Sequence, residues 1–260
     1  MLSQKSIKNF TVINLLLMSL SYLQYYVFEN IFNVFMTFFF FLLRNIFVLA
    51  TLYICSLNKK YITNQDRDKQ IYDHKLVVLL LITSTMIEVV VHMVTMNYYI
   101  FNTSDIVIDT IMFIPISFAY ELIFDFFHYW LHRLEHNSLI YKHTHKLHHA
   151  YQYTLVQFTH CHHPFDLIIS NVIPHLIAFN LIPRVSKFTY SALLIYKLFV
   201  EISGHTGKQL NTSSFPQCIW LPKFFGIELM TKDHDNHHIH SICNYAKRFS
   251  LWDKVFGTYK

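Results

Sequence analysis

The sequence has few of the residues that mark several common protein classes. Only 14% of its 260 residues are charged, and its net charge of +5 is spread along the chain. That distribution argues against a nucleic-acid-binding protein. The four cysteines, Cys55, Cys161, Cys218 and Cys243, are too far apart for a C-x-x-C motif or a dense disulfide framework. A reducing environment is therefore the simpler interpretation.

The chain is instead rich in apolar residues. Hydrophobic residues make up 53% of it and there are only four glycines, so it is more apolar than an ordinary soluble domain. Because a spanning helix needs about 20 residues, the first four apolar runs are each long enough to cross a membrane, and the last two are marginal. The runs cover residues 10–28, 31–57, 76–101, 106–127, 167–183 and 188–202. The sequence predicts an all-α, multi-pass membrane helical bundle with about four spanning helices and a short or re-entrant hairpin.

The distribution of Lys and Arg predicts the orientation of this bundle. If the runs pair as hairpins, the N-terminus and residues 58–75, 128–165 and 203–260 share one side, which carries 17 of the 21 Lys and Arg residues. The positive-inside rule makes that side cytosolic. Arg44 fits poorly, and either faces the interior of the bundle or marks an interfacial segment. No A-x-A-like site follows the first run, so we interpret it as a retained anchor rather than a signal peptide.

Histidine is the one polar residue in clear excess, with 18 copies. Three short segments, "HYWLH", "HKLHH" and "HDNHH", space their histidines by three or four residues, which places the rings of each segment on one helical face. All three segments fall on the side predicted to be cytosolic. The histidines concerned are His128, His132, His145, His148, His149, His234, His237 and His238.

These clusters predict a metal site in a helical cap on the cytosolic side. Eight imidazoles exceed the needs of one closed zinc site and suit two metals with about four ligands each, leaving open positions. Imidazole suits iron, zinc and copper, and an open, nitrogen-rich site is consistent with Fe(II) and O2. A site at the membrane surface indicates an apolar substrate that enters from the bilayer. We interpret the isolated histidines as snorkelling or hydrogen-bonded side chains: His74, His92, His136, His143 and His175.

Two carboxylates lie on the helical stripe that carries the first histidine pair. Glu121 and Asp125 precede His128 and His132 in steps of four, three and four. Asp125 could accept a hydrogen bond from a ligand imidazole and fix its tautomer. The alternative is a buried carboxylate paired with Lys or Tyr.

The stretches "FHYWLHRLEH…IYKHTHKLHHAYQYT…HHPFD" and "HDNHH…NYAKRFSLWDKVFGT" resemble the fatty acid hydroxylase superfamily, which includes sterol methyl oxidases, sterol C5-desaturases and cholesterol 25-hydroxylases. The likeness runs from about Asp125 to the end. It implies an O2-dependent lipid oxidase with two iron ions in the endoplasmic reticulum membrane. It also implies that the eight clustered histidines are ligands, and that His163 and His205 are additional ones.

The resemblance implies a division of the chain into membrane-spanning helices at 1–120 and a catalytic region at 121–260. The sequence departs from the family pattern after His205, where Lys208 and Gln209 stand, and at Thr154, where members often have Pro. These departures blur which lipid is oxidised. No H-P-G-G motif is present, so electrons come from an external donor, and the resemblance suggests cytochrome b5 or its reductase.

We favour hydroxylation of a sterol or sterol-like lipid, with sterol C5-desaturation or hydroxylation of a fatty acyl chain or sphingolipid as alternatives. A function of another class is a membrane metal-binding or transport protein. Transporters place ligands near the bilayer midplane, whereas these clusters lie at predicted helix ends. A third alternative is an inactive family member that acts as a lipid-sensing scaffold, against which the complete histidine segments argue.

Overall fold

In the computed structural model, the described residues are 4–30, 33–62, 70–210 and 213–260, and among them there are helices but no β-strand. Four long helices come first, and they coincide with the four predicted spans. They are α1 Gln4–Asn30, α2 Val34–Ser56, α3 His74–Tyr98 and α4 Ile106–Glu135. Residues 31–32, at the start of the second predicted run, and 63–69, in the predicted loop, lie outside the described residues.

The starts of α2, α3 and α4 are fixed by polar caps. Asn33, Asp73 and Asp105 each adopt extended backbone geometry, and their side-chain oxygens accept hydrogen bonds from two amides of the first turn. Such caps satisfy amides that have no partner within the helix. The polar residues between the apolar runs therefore determine where these long helices begin.

Five helical segments are long and apolar enough to cross a membrane. Four lie within α1–α4, and the fifth is Pro164–Leu181, which joins α6 (Pro164–Leu167), a π-helical turn (Ile168–Val172) and α7 (Ile173–Leu181). Large apolar side chains remain exposed on these helices, as lipid contact requires; Leu43 is 66% and Val90 is 61% exposed. The predicted all-α membrane bundle is confirmed, with five candidate spans rather than about four.

The helix α8 (Lys187–Gly204) forms the centre of the bundle and packs against α1, α2 and α4. It is buried almost all round, with Tyr190, Ile195 and Ile202 each 0% exposed. A helix enclosed by protein can be hydrophobic on every face without meeting lipid. Because α8 is enclosed by protein, its apolar run need not match the thickness of the bilayer and can be short. The N-terminal helices and α8 share one hydrophobic core.

The loops lie at two ends of the bundle. At one end, the Asn102 amide donates to the Val185 carbonyl, joining the α3–α4 loop to the α7–α8 loop. At the other end, the Gln209 amide donates to the Lys60 carbonyl and the Gln70 side chain donates to the Tyr153 carbonyl. The described parts of the predicted loop, the 128–165 segment and the C-terminal segment thus meet at one end.

Arg44 faces the interior of the bundle. Its guanidinium lies 2.5 Å from a carboxylate oxygen of Glu88 on α3 and donates to the side-chain oxygen of Gln24 on α1 at 2.7 Å. Glu88 thus pairs with Arg44, while His92 stacks on Phe28 with ring centroids 3.9 Å apart. The Arg44–Glu88 ion pair and the Gln24 hydrogen bond together link the first three helices, which explains how a charged residue is accommodated within this apolar run.

A cap of short elements follows the carboxyl end of α4. It contains α5 (Ser138–Tyr141), the 3-10 turns His148–Ala150 and Val156–Phe158, α9 (Trp220–Phe224), α10 (Thr231–His240) and α11 (Leu251–Val255). The helix α10 contacts the end of α8, and α11 contacts α4. The cap therefore brings the histidine-bearing segments against the carboxyl ends of two bundle helices.

Candidate metal centre

Four separate segments carry histidines into the space between the bundle and its cap. The last turns of α4 present His132 and His136, the turns at 142–150 follow, and His205 caps the carboxyl end of α8. The helix α10 presents the last cluster. Asp233 accepts from the amide of Met230, the residue that caps its start, and Ser241 caps its end in the left-handed region with φ 57°. Side chains three and four residues apart share a face, so each segment directs its rings one way.

The first histidine group has five members whose candidate ligand nitrogens all lie within 4.8 Å of one another: His132, His136, His145, His149 and His237. The Nε2 atoms of His132 and His145 are 3.0 Å apart, and those of His237 and His149 are 3.2 Å apart. The Nε2 atom of His136 lies 3.2 Å from that of His237. Lone-pair-bearing nitrogens from three segments thus converge on one point.

The second histidine group has four members within the same limit: His148, His205, His234 and His238. The Nε2 atoms of His205 and His234 are 3.1 Å apart. The two groups are adjacent, since the rings of His149 and His238 stack with centroids 4.8 Å apart. The arrangement is a pair of neighbouring imidazole clusters rather than a single one.

Hydrogen bonds determine which nitrogen of several rings faces the groups. The Nδ1 atoms of His132 and His237 lie 2.8 and 2.7 Å from the carbonyl oxygens of Tyr245 and Cys243. The Nδ1 atom of His205 lies 2.8 Å from the Glu201 carbonyl. Because a carbonyl can only accept, Nδ1 carries the proton in each of these rings and Nε2 presents a lone pair. That tautomer is the one that binds a cation through Nε2.

Burial lowers the pKa of several rings that lie outside the spanning segments. Burial, followed by the neighbouring His237, lowers the pKa of His136 to about 2. Burial lowers the pKa of His237 to about 3 and that of His205 to about 4. It also holds the pKa values of His148 and His238 well below the ordinary value. Neutral imidazoles packed this closely are ready to donate electron pairs to a metal, because no proton must first be displaced.

Asp166 connects the two groups. Its Oδ1 atom lies 3.1 Å from Nδ1 of His145 in the first group, and its Oδ2 atom lies 2.9 Å from Nδ1 of His162. His162 in turn stacks on His148 of the second group, with ring centroids 4.2 Å apart. Glu135 lies in the same region, forming a further cluster with His145 and Asp166. The buried carboxylate of Asp166 thus orients one imidazole on each side, as carboxylates that contact metal ligands do.

The donor set fits two cations. Within the described residues, Nδ1 of His148 and both ring nitrogens of His238 are buried without a hydrogen-bond partner. An unpaired buried polar atom costs free energy, and a bound ion would remove that cost. Imidazole nitrogens with two buried carboxylates nearby suit iron, zinc or copper better than magnesium or calcium.

The structure brings together eight of the ten histidines proposed from the sequence. His128 and His163 are not in either group, although the ring centroid of His128 lies 5.0 Å from that of His132, and their role as ligands stays a prediction. His128 donates from Nδ1 to the Ser170 carbonyl at 2.5 Å. His163 precedes α6, and its ring accepts from the Phe165 amide at 3.4 Å. The eight are His132, His145, His148, His149, His205, His234, His237 and His238.

Sequence reasoning passed over two histidines that lie in the clusters. His136 was interpreted as an isolated side chain, yet it joins the first group. The signal was present, because His128, His132 and His136 continue in steps of four. His162, beside the chosen His163, lies with His148 and Asp166. The sequence does not indicate which of the adjacent His162 and His163 points inward, because Pro164 shows only that a helix begins there.

Asp125 contacts main-chain amides rather than a ligand imidazole. Its Oδ1 atom accepts from the amides of Lys247 and Arg248 at 2.7 and 2.8 Å, and its Oδ2 atom accepts from the Phe249 amide at 3.0 Å. Both oxygens therefore bind main-chain N–H groups rather than an imidazole. Asp125 holds the C-terminal loop whose carbonyls fix His132 and His237, one step further from the groups than predicted.

Comparison with known proteins identifies the family. Residues 117–258 match the family model of fatty acid hydroxylase, which is more than half of the chain, so the chain belongs to the fatty acid hydroxylase family. The matched residues include α4 from its middle, α8 and the whole cap.

Curated relatives are similar over about half of the chain. The fatty acid hydroxylase vlmA of Lecanicillium sp is 30% identical over 146 residues, covering 54% of this chain and 40% of that protein. Lathosterol oxidase of Homo sapiens is 33% identical over 136 residues, covering 52% and 42%. Methylsterol monooxygenase 1 of Rattus norvegicus is 31% identical over 134 residues, covering 52% and 43%. The chain thus spans about two fifths of the length of these relatives. No solved structure matches it.

Proposed function

We propose that this chain is a membrane-bound, O2-dependent lipid oxidase that uses two iron ions and hydroxylates a sterol or sterol-like lipid. The observation that carries the proposal is the pair of adjacent histidine groups, with five and four converging imidazoles. Family membership supports oxidative lipid chemistry, because relatives are named as a hydroxylase, an oxidase and a monooxygenase.

In this proposal each histidine group holds one iron ion. Two iron ions ligated by neutral imidazoles supply the redox and O2 chemistry needed to attack an unactivated C–H bond. The residues of the chain bind and orient the ions: the carbonyls of Cys243 and Tyr245 fix two rings of the first group, and Asp166 fixes a third. Burial of the groups excludes bulk water, which protects a reactive site from side reactions.

The proposed substrate enters sideways from the bilayer. A cavity between α3, α7 and α8 reaches His162 and Glu201, which border the histidine groups. Its walls are mainly apolar, with residues such as Val91, Leu194 and Leu198. An apolar cavity that opens between membrane helices and ends at a metal centre suits a lipid.

We further propose an endoplasmic reticulum membrane location, with the histidine groups on the cytosolic side and electrons supplied by cytochrome b5 or its reductase. The excess of Lys and Arg in the segments at the histidine end supports this orientation. Desaturation at sterol C5 and hydroxylation of a fatty acyl chain or sphingolipid are the nearest alternatives, since all begin with removal of hydrogen from a C–H bond. Residues 121–260 supply every proposed ligand.

A metal-transport function is the candidate from another class. The histidine groups lie at the carboxyl ends of α4 and α8 rather than at the middle of the bundle. Transport sites lie near the midplane, so the location favours an enzyme. Metal flux across vesicles carrying the purified protein, without an oxidised lipid product, would reverse this ranking.

The test measures both the iron content of the purified protein and the lipid products that it forms. The full chain would be expressed in yeast strains that each lack one lipid oxidase, and the lipids of each strain would be profiled. We expect about two iron ions per purified chain and one new oxidised lipid in at least one strain. A matched variant, His237→Ala, should lose iron and product together. An iron-loaded, membrane-inserted protein that changes no lipid in any strain would contradict the proposal.

A further inference from the structure

The cavity that reaches the histidine groups contains a lysine in its wall. Lys197 lies in the middle of α8 and lines the cavity together with Leu194 and Leu198. The empty space between the lining residues is about 790 Å³, the open mouth included. A cation in the wall of a mainly apolar cavity is costly unless something pairs with it.

The part of the chain that the structure describes offers Lys197 no such partner. Within the described residues, no hydrogen bond or ion pair to its ammonium group occurs, and Nζ lies over the Phe124 ring, 5.5 Å from the ring centroid. The two carboxylates that line the same cavity are already engaged. Glu88 pairs with Arg44 at 2.5 Å, and Glu201 pairs with Lys247 at 2.7 Å. The ammonium group therefore has three donors available for a ligand in the cavity.

Two buried ring nitrogens in the wall strengthen this interpretation. Nε2 of His175 and Nε2 of His160 are both buried and unpartnered among the residues that the structure describes. Their other nitrogens are occupied, His175 by the Tyr120 hydroxyl at 2.7 Å and His160 by the Ser84 hydroxyl at 3.1 Å. Polar atoms kept unpaired at one cavity wall indicate a polar group on the ligand.

The position of Lys197 along α8 relates that polar group to the metal groups. Lys197 precedes His205 by eight residues, which is about 12 Å along the helix axis. The cavity wall from Tyr190 to Glu201 extends over about 16 Å of the same helix. If the polar end of a lipid lies at Lys197 and its chain runs along α8, the carbon that reaches the histidine groups is far from that polar end.

We propose that Lys197 binds an acceptor oxygen of the substrate lipid, and that the carbon oxidised is remote from that oxygen rather than adjacent to it. The inference rests on the proposed function in one respect: the ligand of the cavity is taken to be the substrate. The ligand class is a long lipid with a hydroxyl, carbonyl or carboxylate oxygen at one end. A sterol hydroxyl and a fatty acid carboxylate share this chemistry.

Equilibrium binding to the purified full chain in lipid nanodiscs tests the proposal without turnover. The probes are two radiolabelled pairs, cholestanol with cholestane and hexadecanoic acid with hexadecane, whose members differ mainly in the oxygen. Since a hydrogen bond to a charged group is worth about 1.5–3 kcal/mol, we expect wild type to bind the oxygenated member of one pair about tenfold or more tightly than its hydrocarbon. The pair that shows this preference identifies the source of the oxygen.

Lys197→Met should abolish the preference while leaving hydrocarbon binding unchanged. Lys197→Arg, which keeps the cation, should retain it, and the exposed Lys223→Met is the matched control. If Lys197→Met does not fold, as judged by gel filtration, Lys197→Gln replaces it. A preference that survives loss of the cation, or a wild type with no preference in either pair, overturns the proposal.

Product analysis separates this inference from the proposed function. If Lys197→Met loses the preference but no strain yields an oxidised lipid, the binding role stands and the oxidase function falls. If an oxidised lipid forms with its new oxygen next to the original one, the oxidase function stands and the remote-carbon inference falls.

Discussion

The two histidine groups differ in how firmly their rings are held. In the first group, His132 and His237 donate to main-chain carbonyls, and His145 contacts Asp166. In the second group only His205 has a main-chain partner, and both ring nitrogens of His238 are unpartnered among the described residues. The first group is thus pre-oriented by the fold, whereas the second has rings that are free to adjust.

This difference indicates different tasks for the two groups. Rings with fixed tautomers bind a metal more tightly, because less order is lost on binding. The second group lies beside His162 and Glu201, which line the cavity. We therefore expect the first group to retain its ion and the second to be the more adjustable one, next to the substrate.

Removing a central ring should have the largest effect. His237→Ala removes an imidazole whose Nε2 lies within 3.2 Å of two others in the first group. We expect this variant to lose the ion of the first group and all oxidase activity, as measured by iron analysis and product formation. His143→Ala is the matched control, because His143 is exposed and lies outside both groups. Equal iron loss in the two variants would show that the first histidine group is not the ligand set of that ion.

Asp166→Asn should weaken both groups at once, because this carboxylate contacts a ring of the first group and a ring stacked on the second. Loss of such a partner typically costs about 10- to 100-fold in metal affinity. Competition with a metal-binding dye would measure it. A change confined to one of the two ions would mean that Asp166 serves a single group.

Chelation should separate the groups in the wild-type protein. We expect iron to leave in two phases when the protein is titrated with a chelator, with midpoints about tenfold apart. The first phase should persist in His237→Ala, where only the second group remains complete, and the later phase should be missing. A single phase for both ions would remove the distinction between a fixed and an adjustable group.

Asp125→Asn should have the smallest effect and reach only the first group. The substitution removes one oxygen that accepts the Phe249 amide and loosens the loop that orients His132 and His237. We expect a loss of about 1–3 kcal/mol of stability and weaker binding of the first ion alone. Thermal denaturation and the same chelator titration would measure both. An unchanged midpoint of the later phase, in which the ion of the first group leaves, would show that the loop does not affect the site.

Much of the fold follows from the sequence, because long apolar runs and their polar caps are local signals. The runs that became α1–α4 could be predicted in this way. The central place of α8 could not, since its short apolar run resembles a marginal span or a re-entrant piece. Only the packing of α1, α2 and α4 around it shows that it is enclosed by protein.

The site could be predicted only in part. Spacing identified the histidine segments, but it could not choose between His128 and His136, which both lie four residues from His132. His136 joins the first group through His237, whose Nε2 lies 3.2 Å from its own and which is 101 positions away in sequence. The partners of Asp125 could not be predicted either, because they are main-chain amides of a loop more than 120 positions away, and side-chain spacing contains no information about such amides.

The enclosed position of α8 has a consequence for how the protein is made. This helix delivers His205, and it acquires its surroundings only when α1, α2 and α4 have come together around it. The second histidine group would therefore be incomplete on a half-inserted chain. If the groups hold metal as proposed, metal capture would be a late event in biogenesis, and a nascent or misassembled copy would lack the complete centre.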